Sequence, residues 1–334
     1  MNFREVLSNS LCGMKRKAHG AREPRHIRKY VEVASTAQRS DSPAQRITQY
    51  FSGITIVTAA IICLIFAASL SALSISELSI PAPRLRSAAF IVKNQRTDEL
   101  LLTRRADTEQ PIASITKLMT AMTVLDGRLD MNEVIVIEDA DKDRLRNSQS
   151  RLPVGTKLTR LEALQLALMS SDNRAAHALG RTWPSGIEAF VEAMNRKVQA
   201  LGLSNTRFVE PTGLSECNVS SALDLARMAE AAYDYPTIRD LSTRRGLLIQ
   251  HKRQQIQFGN TNALVGNPRW GIDISKTGYI ADSGYCLVMQ MKVNGEPIIV
   301  VLLNSSSEKD RVEDALRIRQ WLEGPRPAAR QNTR

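Results

Sequence analysis

The chain has 334 residues, 43% of them hydrophobic and 24% charged, an ordinary globular balance with enough apolar material for a substantial core. Its formal net charge of +11 is concentrated at the ends: residues 1–50 carry ten Lys/Arg against four Asp/Glu, Arg326, Arg330 and Arg334 add three more, and +2 remains between them. A duplex-binding domain clusters its cations on the fold itself, so nucleic-acid binding is set aside, and four cysteines without a CxxC or Cys/His cluster argue against a metal centre.

Residues 1–50 form a basic, polar arm. No charged residue occurs from Ile47 to Ser76, and the stretch Gly53–Leu73 is long enough, at about 1.5 Å per residue, to cross a hydrocarbon core. Lys15, Arg16, Lys17, Arg22, Arg25, Arg28 and Lys29 precede it, which predicts a cytoplasmic arm and an exported remainder. Residues 51–76 are thus expected to be a transmembrane anchor, with membrane contact through 53–73, or a cleaved signal segment with Ser69 and Ser71 as small residues near a cleavage site. Pro81 and Pro83 mark residues 77–86 as a linker.

The folded part is expected over residues 87–322, with a basic tail at 323–334. Apolar runs Ala88–Lys93 and Leu100–Thr103 around a polar turn predict a hairpin. From Ser114 to Asp126, Leu118, Ala121, Met122 and Leu125 recur at i, i+3, i+4 and i+7, the period of a helix with a buried face. Thr159 with Glu162, Ser185 with Glu188, and Ser221 with Asp224 read as capping boxes that open three more helices. Tyr285–Val293 and Ile298–Leu303 flank Asn294-Gly295, a strong hairpin turn, and a last helix runs from about Glu308 to Leu322. Strands, helices, then strands with a closing helix predict an α/β (α+β) fold: an antiparallel sheet flanked by helices, with an inserted all-helical subdomain.

Three short motifs occur in order: Ser114-Ile115-Thr116-Lys117, Ser171-Asp172-Asn173 and Lys276-Thr277-Gly278. The first pattern alone is weak, because Ser306-Ser307-Glu308-Lys309 matches it too. An N-cap hydroxyl would account for Ser114, but not for Lys117: a cation in the first turn opposes the helix dipole, and i, i+3 spacing sets it beside Ser114 on a stripe that turns apolar. Burial there lowers an amine's pKa and makes it a base for the serine hydroxyl. The histidines offer no rival, since His19 and His26 lie in the arm, His177 reads as a packed or surface side chain, His251 stands alone, and there is no GxSxG elbow. Ser171-Asp172-Asn173 occupies a corner between helices, where an ordinary cap is the simpler account. Lys276-Thr277-Gly278 is expected just before a strand pair; its glycine clears room for a substrate backbone, and the lysine read alone is a solvated edge residue. Cys217 and Cys286, the cysteines of the folded part, could pair in an oxidising compartment, though two thiols so far apart in sequence are more often separate small hydrophobes.

This ordered set resembles the serine penicillin-recognising enzymes, the penicillin-binding proteins and their β-lactamase relatives. The segments Pro111–Ala121, Leu168–Ala175, Pro211-Thr212-Gly213-Leu214 and Ser275–Gly278 are similar to low-molecular-mass D-alanyl-D-alanine carboxypeptidases and endopeptidases, and the likeness extends over about residues 85–322. It implies a β-lactamase/transpeptidase-like fold with no cofactor and no metal, peptidoglycan peptides as substrates, β-lactams as covalent inhibitors, and an envelope location with a periplasmic catalytic domain. By the same resemblance Ser114 is the acylated nucleophile, Lys117 its base and Ser171 a proton shuttle. Asn173 holds a substrate amide, Lys276 pairs with Ser171 and the substrate, Thr277 binds the terminal carboxylate, and the N–H groups of Ser114 and Tyr279 form the oxyanion hole. Arg311 falls where carboxypeptidases carry a carboxylate-reading arginine, though a surface arginine at a helix start is an equal account.

A class A β-lactamase is the nearest alternative, because Arg207–Pro211 imitates its deacylating loop around Glu210, but position 214 is Leu where that loop needs Asn. Within the peptidases, Tyr279 rather than His after the third motif, and only a short tail after the final helix, imply endopeptidase activity, with carboxypeptidase activity as the alternative.

Overall fold

The computed structural model describes residues 81–324. The basic arm, the apolar run with its stretch 53–73, residues 77–80 of the linker and residues 325–334 of the tail lie outside the described residues. Among those described, no helix is long and apolar enough to cross a membrane.

Strands β1 (Ala89–Asn94) and β2 (Leu100–Arg104) form the predicted hairpin. β3 (Gln110–Pro111) leads through a 3₁₀ turn at Ala113–Ile115 into helix α1 (Thr116–Asp126). β4 (Val134–Val136) pairs with β5 (Lys157–Thr159), and α2 (Arg160–Met169), α3 (Asn173–Arg181) and α4 (Gly186–Ala200) follow. β6 (Val219–Ser220) pairs back onto β3 before α5 (Ala222–Tyr233) and α6 (Pro236–Thr243). A hairpin of β7 (Gly246–His251) and β8 (Gln254–Gly259) precedes β9 (Ile272–Ile280), β10 (Gly284–Val293), β11 (Glu296–Ser305) and α7 (Glu308–Glu323).

The main sheet has five antiparallel strands in the order β2-β1-β11-β10-β9, which leaves β9 at one edge. Asn294 and Gly295 join β10 to β11 with φ of 53° and 80°, the left-handed pair that a tight hairpin turn demands. The central strands read as unbroken apolar runs because both sheet faces are covered. On one face Ile91, Val288, Ile299, Val301 and Leu303 join Leu118, Met122 and Leu225 in the larger core. On the other, Val92, Met289, Val300 and Leu302 pack against Ala315, Ile318 and Leu322 of α7. The inserted region between β2 and β9 thereby rests on a rigid platform.

Four expectations need correction. The insertion is not all-helical: it contains the pairs β3–β6, β4–β5 and β7–β8. The β7–β8 hairpin escapes notice because its turn uses Lys252 at φ 53° instead of the Gly or Asn that marks such turns. Ser185 caps nothing, since its left-handed backbone (φ 68°, ψ 13°) directs Oγ away from the helix start, whereas Thr159 and Glu162 form the full reciprocal box. Ser221 accepts from Asp224 N as expected, but the Asp224 carboxylate turns to Asn205 N and the Thr206 hydroxyl. Finally, Lys276-Thr277-Gly278 lies within β9 and not ahead of a strand pair. Cys217 and Cys286 are buried, unbridged thiols, as expected of small hydrophobes.

Candidate active site

Three separate elements bring the three motifs together. Ser114 sits in the 3₁₀ turn ahead of α1, where Ile115 holds the N-cap position without a side-chain bond, so the Ser114 hydroxyl is not consumed by capping. Lys117, one turn on, is fully buried. Its Nζ lies 2.8 Å from Ser114 Oγ and donates to Asn173 Oδ1 at 2.8 Å and to the Thr212 carbonyl at 2.5 Å. Burial draws its pKa from 10.5 down to about 8, against the opposing pull of the Glu210, Asp172 and Asp143 carboxylates. An amine in that state, beside a hydroxyl, is a base for a serine nucleophile.

The second motif forms a sharp corner between α2 and α3. Ser171 adopts φ 59°, and Asp172 does the capping: Oδ1 accepts from Ala175 N at 2.9 Å and Oδ2 from the Ser150 hydroxyl at 2.6 Å. Because Asp172 takes the local role, Ser171 and Asn173 are left to face other elements. Ser171 Oγ accepts from Lys276 Nζ at 2.9 Å, and Asn173 Nδ2 donates to Ser148 Oγ at 2.9 Å. Asn173 therefore holds Lys117 and the 143–151 loop together, a bridging task beyond the substrate contact expected of it.

The third motif runs along the edge strand. Lys276 is 1% exposed, which rules out the solvated edge lysine. Its amine also donates to the Thr277 carbonyl at 2.8 Å, and burial with the positive charges of Lys117 and Arg311 pushes its pKa well below the ordinary lysine value. The Thr277 hydroxyl donates to Thr261 Oγ1 at 2.7 Å. Gly278 clears space, but for this chain's own backbone: a Cβ there would stand 2.8 Å from the Ile112 carbonyl and 3.2 Å from Ser114 N. The glycine lets β9 pass directly beside the serine's amide. Tyr279 next to it is half exposed and stacks on Tyr285 with ring centroids 4.3 Å apart.

Arg311 is not the surface residue of the simpler account. It is 5% exposed, donates to the Cys286 carbonyl and to Glu308, and its guanidinium stands 6.0 Å from the Tyr285 ring. It touches none of Ser114, Lys117 or Ser171 and acts on Lys276 through charge alone. Other competing features fall away too: His177 pairs with buried Asp141, His251 with Thr156, and Lys309 of the second SxxK match is exposed and paired with Glu313, so Ser306 has no buried amine beside it.

Sequence reasoning missed the Glu210–Gly213 turn as a working part. The Thr212 carbonyl accepts from Lys117 and stands 3.4 Å from Ser114 Oγ. A backbone carbonyl leaves no trace in a sequence; the signal available was Gly213, whose φ of 84° and contact with Ala113 exclude other residues.

The chain is similar to known proteins over the region that carries this site. The family model described as D-alanyl-D-alanine carboxypeptidase, peptidase family S11, matches residues 76–307. A D-alanyl-D-alanine endopeptidase of Pseudomonas aeruginosa is 44% identical over 241 residues, 72% of this chain and 78% of the relative. One from Escherichia coli is 40% identical over 253 residues, 74% and 82% of the two chains. Among solved structures, the Streptomyces K15 DD-transpeptidase superposes with a TM-score of 0.68 at 28% identity, covering 73% of this chain and 99% of that one. With Ser114 and the buried Lys117 paired inside the matched region, the chain belongs to the D-alanyl-D-alanine carboxypeptidase family of serine peptidases.

Proposed function

We propose that the protein is a serine D-alanyl-D-alanine endopeptidase, cleaving peptidoglycan cross-bridges through an acyl-enzyme on Ser114. The observation that carries this reading is a dehydrated lysine amine, titrating at about 8, held 2.8 Å from the serine oxygen. Lys117 takes the hydroxyl proton as Oγ attacks the D-alanyl carbonyl carbon. The N–H groups of Ser114 and Tyr279 receive the developing oxyanion, where loss of one such donor costs about 3–4 kcal/mol of barrier. Collapse of the tetrahedral state breaks the peptide bond, and the departing amine collects its proton through Ser171, which Lys276 adjoins. Water then hydrolyses the ester and frees Ser114. Lys276 and Thr277 hold the substrate carboxylate, and Asn173 Nδ2 exchanges Ser148 for a substrate carbonyl.

The endopeptidase subtype is supported by two relatives that carry that name and by the aromatic Tyr279 after the third motif. A β-lactamase is disfavoured because both Glu210 oxygens already accept backbone N–H bonds, so Glu210 is not the dedicated deacylating base of that class. We read the catalytic region as exported into the envelope and tethered by the apolar run, with β-lactams acylating Ser114 as pseudo-substrates. The test is competition between purified cross-linked muropeptide dimers and monomeric pentapeptides. Conversion of dimers to monomers is expected; release of free D-alanine from monomers with dimers intact would make the protein a carboxypeptidase instead.

A further inference from the structure

Glu210 is half-buried, carries a charge, and plays no part in the bond-breaking steps above. Its carboxylate is nonetheless surrounded by donors. Oε2 accepts from Thr212 N at 2.6 Å and from the Thr212 hydroxyl; Oε1 accepts from Gly213 N at 2.6 Å, from Ser215 N at 3.3 Å and from Asn218 Nδ2 at 2.8 Å. Every one of these donors belongs to the segment 212–218. The carboxylate is the centre about which that turn is wound.

The turn faces the nucleophile. Gly213 approaches so closely that a Cβ would lie 2.0 Å from the Ala113 carbonyl oxygen and 2.7 Å from Ser114 N. Asn218, fully buried, ties the same turn to the start of α1 through Thr116 Oγ1 at 3.1 Å and to Glu210's own carbonyl at 2.9 Å. The Thr212 carbonyl is thereby held against Lys117 Nζ, one of the three acceptors that fix where the amine points.

We propose that Glu210 is a positioning residue for serine acylation: its carboxylate fixes the Thr212 carbonyl, which aims Lys117 at Ser114, and its charge stands as a counter-ion to Lys117. This rests on the serine acylation reading and adds to it the device that aligns the base. A carboxylate suits the task because it is acceptor-only, and two converging backbone N–H groups need two acceptor oxygens. A glutamine offers one oxygen and turns an N–H₂ toward Thr212 N or Gly213 N, donor against donor. Misplacement on the scale of 1 Å at a reacting group costs about 10²-fold in rate.

The second consequence is electrostatic. The charges that face Lys117 are Glu210 from this turn, Asp172 from the start of α3 and Asp143 from the loop after β4, all raising its pKa; the neighbouring amine is Lys276 from β9, with Arg311 acting on Lys276. Removing the Glu210 charge should let Lys117 lose its proton at lower pH.

The experiment measures acylation by a fluorescent penicillin across pH for the wild type, Glu210→Gln and Glu210→Asp, with circular dichroism and thermal melting to establish folding. Labelling of the wild type at Ser114, absent in Ser114→Ala, tests the acylation reading independently; failure there overturns that reading and this inference together. With labelling established, Glu210→Gln should acylate about 10- to 100-fold more slowly, with the rising limb moved down by roughly half a pH unit or more. Glu210→Asp keeps the charge on a shorter arm, so it should lose rate while the limb stays in place. A folded Glu210→Gln protein with wild-type rate and limb would overturn the inference. So would equal losses in both variants with neither limb displaced, because that pattern belongs to a merely structural residue. If Glu210→Gln fails to fold, Glu210→Asp decides alone: an unchanged acylation rate, or a loss carried by weaker pre-covalent binding of the penicillin, overturns the inference, and a slowed acylation step with unchanged binding supports it.

Discussion

On the proposed mechanism acylation of Ser114 requires Lys117 without its proton, so its rate should climb with pH along a limb set by that single amine. Burial places the limb at about 8 in place of the ordinary 10.5. At pH 7 about one molecule in ten then carries the neutral amine, against about one in three thousand for an unperturbed lysine, so burial supplies roughly 300-fold more base. The sign follows from the cause: loss of water disfavours the ammonium, and the proton leaves at lower pH than it otherwise would. The second-order rate of labelling by a fluorescent penicillin, measured from about pH 6 to 9.5, should rise nearly tenfold per unit at the acid end and level off above about 8. Lys276 is also drawn downward, so Lys117→Arg is the variant that assigns the limb. Its guanidinium keeps the positive charge but does not release a proton, and acylation should fall by about 10²–10⁴ at every pH with the circular dichroism spectrum unchanged. A limb near 10, or a folded Lys117→Arg protein that acylates within tenfold of the wild type, would refute this account of the base.

A penicillin should add its full mass at Ser114, as read by intact-mass analysis of residues 84–324, and the adduct should persist on the order of minutes or longer because Glu210 has no free oxygen for deacylation. Labelling of Ser114→Ala would contradict it, because Lys309 of the other SxxK match is exposed and paired with Glu313, which leaves Ser306 without a buried amine. Gly213→Ala forces a side chain into a left-handed residue against the Ala113 carbonyl; unfolding in urea should show a loss of about 2–5 kcal/mol, and a loss under 0.5 kcal/mol would mean the turn yields easily. For topology, protease added to spheroplasts should digest the region from residue 85 onward and spare the basic arm; a protected catalytic region would reverse the proposed orientation.

Legibility from sequence followed how local the physics is. The helical period of Leu118, Ala121, Met122 and Leu125, the Thr159–Glu162 box and the Asn294-Gly295 turn are satisfied within a few residues, and each produced the element expected. The motif serines and lysines were legible as types, and the Lys117 argument held because a cation opposing a helix dipole asks for an explanation. What escaped was made by distant segments or by backbone. Lys276 reads as a surface residue in β9, and only the Ser171 corner, 105 residues away in sequence, buries it. Arg311 reads as a surface residue of α7 until the Tyr285 ring and the Cys286 carbonyl cover it. Glu210 looked like a displaced catalytic base because its spacing imitates one; its actual donors are main-chain N–H groups that every sequence possesses.

The two lysines of the site differ in the charges around them, and that asymmetry gives the cleft a direction. Lys117 is desolvated, but three carboxylates, Glu210, Asp172 and Asp143, pull its pKa back upward, so its amine stays near the working range of a base. Lys276 is equally buried, and the charges that act on it are Lys117 and Arg311, both positive. A carboxylate-bearing substrate entering beside Lys276 supplies the counter-ion which the protein places around Lys117 but not there. On the proposed mechanism its arrival would pull the Lys276 pKa back upward and favour the ammonium next to Ser171 Oγ, 2.9 Å away, at the stage when a departing amine needs a proton. Substrates lacking that carboxylate would not supply this upward pull. On this account the free carboxylate is read by the state of protonation it induces as well as by the hydrogen bonds it makes, and an amidated analogue should lose turnover more than it loses binding.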